Sequence, residues 1–361
     1  MKIGIYTYFR SNYGAILQAY SLQKVIKKLL PEDEVFMVDF KTERHEELER
    51  IFHSRSANPF YSLIWMFCTV CRYRQLKKKA NLFLEFKSRF NYSARYSTIS
   101  VLLSNPPLMD VHLSGSDQVF NPNRKYRDVY YLNFKKGNAR KVAYAPSFGV
   151  NQFSADDKQY IKDMLSDFDA LSCRETDGAE LMSSMLEKEI PQVLDPVFLT
   201  SVEDWRSLET TPRIKRKYVF VYSLKNTKRL LKYAKDNYSG QTIVLLSPND
   251  LRFYSGCEHI YYPGPCDFLG LIDNAEAVVT DSFHGTAFSI IFEKEFRTII
   301  TRPDVSSRII SLLSSLGLED HMIGLDGKFS GIRPSSYKPL LDRMISDSKD
   351  YLSQSLHGDF K

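Results

Sequence analysis

The stretch Ala277-Val278-Val279-Thr280-Asp281-Ser282-Phe283-His284-Gly285-Thr286 decides how the rest of the chain is read. Its first four residues are small, apolar or β-branched and read as a buried strand; a polar cluster follows, and then the apolar run Ala287–Lys294 reads as a helix. Strand, turn and helix in that order is the unit of a parallel α/β sheet. A histidine at a helix N-terminus stands beside partially positive N–H groups, so an anion can bind there while the imidazole gives or takes a proton. His284, with Ser282, Gly285 and Thr286 around it, is thus a candidate site for phosphate or carboxylate chemistry. The alternative is a helix capped by Asp281 or Ser282 that carries a structural histidine.

The same unit recurs on either side. Strands are expected at Ile3–Tyr8, Val35–Phe40, Asp110–Ser114, Val142–Tyr144, Ala170–Cys173 and Gln192–Leu194, and again at Tyr218–Leu224, Thr242–Leu246, Ile260–Tyr262, Ala277–Thr280 and Phe296–Ile300. With 361 residues the chain exceeds one core. The reading is an α/β protein of two Rossmann-like domains facing a cleft, residues 1–205 with a helical arm at 59–90, and residues 206–361. The polar stretch Thr200–Lys217 is read as the linker, and a terminal helix between Ser335 and Leu356 is expected to pack across the junction.

The net charge of +6, from 49 basic and 43 acidic residues, is too small to imply nucleic acid. Five scattered cysteines argue against a disulfide framework, and Cys68-x-x-Cys71 lies in a helical run with no second pair, so neither zinc nor thioredoxin chemistry is expected. His112, His259 and His321 show no metal spacing, and no metal or cofactor is expected. The chain opens on a strand without a signal-peptide h-region and holds no apolar run of the ~20 residues that span a bilayer, so a cytoplasmic protein is expected.

Other strand ends carry small and polar residues. After the first comes Asn12-Tyr13-Gly14-Ala15, where Gly14 would let a ligand approach backbone N–H groups, although an ordinary turn accounts for it too. No G-x-G-x-x-G is present to support a dinucleotide site. Within His112–Pro122, Asp117 and Gln118 could bind sugar hydroxyls or act as a base, or could belong to a capped turn. Tyr144–Gly149, with Ser147, closes a further strand. Arg174 at a strand end is a natural clamp for a carboxylate or phosphate, with pairing to a neighbouring acid as the plain alternative; Arg302 and Arg308 could add charge to the same cleft. One stretch breaks the rhythm: Pro59–Val70 is aromatic and aliphatic and runs into Arg72, Arg74, Lys77, Lys78 and Lys79. It reads either as a surface for anionic lipid or as a packed arm with a solvated basic end.

Taken together, the blocks Lys2–Ile5 with Asn12–Ala19, Gly115–Pro122, Ser147–Gly149, Ser172–Glu175, Val193–Pro196 and Thr280–Thr286 resemble the polysaccharide pyruvyl transferase family, from the first strand to about Leu318. The resemblance implies a fold similar to the GT-B glycosyltransferases. It also implies transfer of pyruvate from phosphoenolpyruvate, as a cyclic ketal, to a sugar of a bacterial surface polysaccharide or its lipid-linked precursor. On that footing His284 is the general acid and Asp117 positions or deprotonates the acceptor. Arg174, Ser282, Gly285, Thr286, Arg302 and Arg308 serve the donor, and Asn12, Tyr13, Gly14, Gln118 and Ser147 serve the acceptor. An anionic membrane surface through residues 59–79 would make the protein peripheral at the inner face of the cell membrane. Several members carry an arginine two residues before the histidine; Ser282 stands there, so an anion contact must come from Arg302 or Arg308. The rival readings are a nucleotide-sugar glycosyltransferase on the same fold and a non-catalytic sugar- or anion-binding protein.

Overall fold

The computed structural model describes residues 1–49, 51, 62, 66, 67, 69–135, 137–248, 250, 252–300, 303–324 and 336–358. Two parallel sheets dominate it. The first joins β1 (Lys2–Tyr6), β2 (Glu34–Met37), β3 (Val111–Ser114), β4 (Arg140–Ala143) and β5 (Ala170–Leu171) in the order β2-β1-β3-β4-β5. The second joins β6 (Tyr218–Tyr222), β7 (Thr242–Leu246), β8 (Glu258–His259), β9 (Ala277–Thr280), β10 (Glu295–Ile299) and β11 (Met322–Ile323) in the order β11-β10-β9-β6-β7-β8. The central strands are buried along nearly their whole length, as parallel strands covered by helices on both faces must be.

Strand order fixes where a ligand can sit. In each sheet the connections reverse direction once, between β1 and β3 in the first and between β6 and β9 in the second. The crevice beyond the carboxyl ends of such neighbours is the binding position of an open α/β sheet. The registers Tyr6↔Ser114 and Tyr222↔Thr280 therefore put Tyr8–Asn12, Ser116–Gln118 and Asp281–His284 at the two switch points.

Seven helices build the junction: α1 (Tyr13–Leu29), α2 (Tyr73–Lys87), α3 (Thr176–Leu186), α4 (Pro265–Asp273), α5 (Phe283–Ile291), α6 (Pro303–Ser315) and α7 (Lys338–His357). Tyr13, expected at the acceptor, is instead a buried strut between the halves. Its ring stacks on Phe268 of α4 at 4.9 Å, and its hydroxyl donates to the Pro263 carbonyl at 2.8 Å. Ser311 of α6 accepts from the Thr176 N–H at 3.0 Å and from the Gln192 amide at 2.9 Å. The terminal helix α7 reaches back to the first half, where Ser348 Oγ accepts from the Leu194 N–H at 3.0 Å and Ser355 O accepts from Arg140 at 3.3 Å.

Three local expectations differ from the structure. Gln192–Leu194 forms a single bridge, Cys173↔Gln192, because Pro191 and Pro196 bracket it and leave no room for a ladder. β8 lies at Glu258–His259 rather than at Ile260–Tyr262, and the two-residue β11 was not foreseen. The stretch read as a linker contains the short helix Val202–Arg206, whose Trp205 is fully buried and donates to the Val197 carbonyl at 3.0 Å.

Because the Tyr13 ring is buried across the junction, Tyr13→Ala should cost about 3–5 kcal/mol in urea denaturation, as large-to-small aromatic core changes do. Tyr13→Phe, which keeps the stacking and loses one hydrogen bond, should cost about 1 kcal/mol. Equal small losses for both would show that the strut bears no load.

Candidate active site

The loops from both switch points converge on Arg174. Its side chain is buried, and burying a guanidinium requires carboxylates around it. Two are supplied: Arg174 Nη1 bonds Asp195 Oδ2, and Nη2 lies 3.4 Å from Asp117 Oδ1. Burial alone would raise the Asp195 carboxyl, but the Arg174 guanidinium and then His284 outweigh it and hold Asp195 well below the ordinary carboxylate range. Asp117 is likewise held low by Arg174, His284 and Arg308 against its burial. Its backbone, at φ 72° and ψ −170°, occupies a region that side-chain-bearing residues rarely enter. That conformation aims the carboxylate at Arg174.

His284 enters from the other half. Ser282 caps α5, its Oγ accepting from the Gly285 N–H at 3.3 Å, which sets His284 in the first turn facing the first domain. Its Nε2 is buried, lies 3.7 Å from Asp195 Oδ2 and has no hydrogen-bond partner. Gly14, at the start of α1, packs flat against the same ring: a Cβ there would stand 2.0 Å from Nδ1. Only glycine allows the two helices to meet at this point. Phe283 completes the cluster, with the Arg174 guanidinium 4.6 Å and that of Arg308 6.0 Å from its ring centre.

Arg308, on α6, differs from Arg174. Its Nε is buried without a partner, and among the described residues it forms no ion pair with a carboxylate. Burial first, and the neighbouring Arg174 second, push its pKa down to about 10. A partly buried cation in that position can take an anionic partner.

The expected site residues thus separate into groups. Asp117, Arg174, His284 and Arg308 come together, with Gly14 as the surface on which His284 rests. Asn12 caps α1 and faces the same cleft, while Gln118 accepts from Arg124 at 3.2 Å. Ser147 is fully buried and donates to Glu175 at 3.0 Å; Thr286 is fully buried and pairs with Thr298 at 2.7 Å. Their hydroxyls serve the interior of each domain rather than a ligand. Gly285 packs against Thr280, where a Cβ would stand 2.5 Å from the threonine hydroxyl. Arg302 lies outside the described residues. Asp195 had no assigned role in the sequence, although an acid between Val193-Leu194 and Pro196-Val197-Phe198-Leu199 must be buried and therefore paired.

With this geometry in hand, comparison with known proteins is direct. The sequence model for polysaccharide pyruvyl transferase matches residues 12–302. The chain belongs to the polysaccharide pyruvyl transferase family. No curated protein matches in sequence. Among solved structures, the UDP-GlcNAc 2-epimerase of Methanocaldococcus jannaschii, in complex with UDP-GlcNAc and UDP, is 13% identical with a TM-score of 0.50, covering 100% of this chain and 94% of that one. MnaA of S. aureus is 12% identical with a TM-score of 0.49, covering 98% and 90%. The E. coli heptosyltransferase WaaC is 12% identical with a TM-score of 0.36, covering 83% and 88%. The first of these shows the fold, which is GT-B-like, and the transferase is built on it. Among the described residues no helix is long and apolar enough to cross a membrane.

Asp195 titrates lower in the folded chain than its ordinary value of 3.8, so its contribution to stability is complete above that pH and is lost as pH falls below it. Asp195→Asn should therefore lose about 3–5 kcal/mol at pH 7, because Arg174 is left buried with a weaker partner, and should lose less than the parent between pH 4 and 2. Parallel acid-unfolding curves for the two proteins would refute the assignment.

Proposed function

We propose that this transferase moves the pyruvyl group of phosphoenolpyruvate onto a sugar of a bacterial surface polysaccharide, or of its lipid-linked precursor, as a cyclic ketal. The observation that carries the reading is the meeting of His284 with the buried guanidinium of Arg174 and the partly buried one of Arg308 around Phe283. A donor bearing both a carboxylate and a phosphate needs two cations, and it needs an acid beside them.

In this mechanism Arg308 takes one anionic group of the donor, and Arg174, already committed to Asp195 and Asp117, meets the other through its unpartnered Nε edge. The imidazolium of His284 gives its proton to the methylene carbon, the double-bond pair forming the new C–H bond and leaving C2 as an oxocarbenium. An acceptor hydroxyl adds to C2, and its proton passes to Asp117. A second hydroxyl of the same sugar then attacks C2 as the C–O bond to phosphate breaks, the bond's electrons leaving with the phosphate and the hydroxyl's proton passing to the now neutral imidazole of His284. The cleft contributes the fixed charges, so little reorganises as charge develops.

Membrane approach is part of the proposal. Trp65 lies outside the described residues, but Met66, Phe67 and Val70 are exposed, and Arg74, Lys77 and Lys78 project to solvent nearby. Lys79 and Arg72 do not belong to that surface: Lys79 lies 5.3 Å from the Tyr13 ring centre and Arg72 5.2 Å from that of Tyr261. Arg72 fastens the arm to the second domain, and Lys79 rests on the first helix. Triple reversal of Arg74, Lys77 and Lys78 to Glu should lower binding to anionic liposomes and reduce activity on a lipid-linked acceptor more than on a soluble glycoside. Undiminished liposome binding would remove this part of the reading.

Phosphate release from phosphoenolpyruvate in the presence of acceptor glycosides tests the activity itself. His284→Gln should fold normally, bind phosphoenolpyruvate, and lose transfer by about 10²–10⁴-fold or more. Stabilisation by a nucleotide sugar and none by phosphoenolpyruvate would favour a glycosyltransferase instead. Arg308→Met should raise the melting temperature of the free protein, since an uncompensated buried charge is removed, while abolishing most of the stabilisation by phosphoenolpyruvate. A structural arginine would show the opposite sign in the first measurement.

A further inference from the structure

Beyond Asp117 the cleft continues into the first domain. A cavity of about 300 Å³ opens at the β1/β3 switch point, walled by Tyr8, Arg10, Asn12, Asp117, Arg124 and Lys125. Three of these are cations, and among the described residues none of the three forms an ion pair with a carboxylate. Arg10 spends one hydrogen bond on the Nε2 of His45 at 2.5 Å, and Arg124 spends one on the Gln118 amide at 3.2 Å. Neither partner is a carboxylate, so each orients a guanidinium without cancelling its charge. Each guanidinium also stands 5.7 Å from the ring centre of Tyr8, so the tyrosine braces the pair. The single acid of the cavity, Asp117, is turned to Arg174. A second cavity of about 300 Å³ shares Tyr8, Arg10 and His45 and runs on towards Lys41 and Lys87.

We propose that this cavity is an anion subsite for the acceptor: the sugar that presents its hydroxyls to Asp117 carries a phosphate or carboxylate group, which Arg10, Arg124 and Lys125 hold. Apart from their contacts with His45, Gln118 and the rings of Tyr8 and Tyr126, these three cations beside a position for sugar hydroxyls have no carboxylate partner among the described residues. They suit a planar or tetrahedral oxyanion, which a guanidinium meets with two parallel hydrogen bonds. Tyr8 and Tyr126 also line the cavity. The anion has two sources, the phosphate that links a sugar to its carrier and the carboxylate of a uronic acid residue. The role of the hydroxyls rests on the pyruvyl-transfer reading; the binding of the charged sugar does not.

The test is equilibrium binding by calorimetry with the full-length protein and no phosphoenolpyruvate, using galactose 1-phosphate, methyl glucuronide and neutral methyl galactoside. The parent protein should bind at least one charged sugar about tenfold or more tightly than the neutral one, the equivalent of one charge-assisted contact. Whichever charged sugar wins names the source. Arg10→Gln and Arg124→Gln should each lower that affinity about tenfold and leave phosphoenolpyruvate affinity within twofold, with far-UV circular dichroism confirming that both variants fold. Arg308→Met should do the reverse. Equal affinity for charged and neutral sugars, binding of none of the three, or charged-sugar binding that survives both Gln variants would overturn the subsite. If charged sugars bind as expected and no phosphate is released with phosphoenolpyruvate, the subsite stands and the transfer reaction falls.

Discussion

A guanidinium buried between two domains is tolerable only if carboxylates accompany it, and that requirement organises the centre of this molecule. Arg174 leaves the end of β5 and is met by Asp195 on the segment that leads out of the first domain. Asp195 also accepts from the Val197 N–H at 3.1 Å and so starts the turn Pro196–Leu199, whose Pro196 carbonyl takes a hydrogen bond from Ser21 of α1 at 2.5 Å. The same carboxylate faces His284 across the junction. One ion pair thereby ties a strand end, the exit of the first domain, the first helix and the histidine of the second domain to a single point. Whatever moves Asp195 moves all four.

The two halves are not joined at the site alone. Tyr13 stacks on Phe268, Ser311 bonds the start of α3, and α7 crosses back onto β4, so contacts on several sides set the distance between the switch points. The contact of Gly14 with His284 is an unforgiving one, because a Cβ would occupy the volume of the imidazole. Position in the cleft is therefore a property of the packed junction, and the chemistry inherits its precision from apolar contacts some distance away.

Much of this was legible in the sequence, for reasons that can be named. Parallel strands buried on both faces read as continuous apolar runs, and β1, β3, β6, β7 and β9 were found that way. The junction of β9 with α5 announced itself through a polar cluster between two apolar segments, and the blocks around Asp117 and Arg174 lay at strand ends where ligands bind. What stayed hidden depends on partners far away in the chain. Two-residue strands such as β5 and β11 carry too little pattern to be bounded. Tyr13 looked like a ligand residue because it sits in a turn, and only the position of α4 shows that its ring is covered. Ser147 and Thr286 are small and polar beside a cleft, but hydroxyls in that setting are as readily spent on Glu175 and Thr298 inside the domains. Arg10 and Arg124, 114 residues apart in the sequence, meet only because β1 and β3 are neighbours.

The serine two residues before His284 has a structural task of its own. Ser282 holds the cap of α5, its short side chain closing onto the Gly285 N–H, which a long arginine side chain could not do. A cap at this position secures the turn that aims His284, so geometry and charge compete for one residue. Arg308 of α6 reaches the Phe283 ring that Arg174 already covers. Its pKa is depressed by burial and by Arg174, and among the described residues no carboxylate pairs with it. Arg174 is neutralised by its own domain and Arg308 is not, so under the proposed function an incoming anion would gain most from Arg308 and would need Arg174 chiefly for its position.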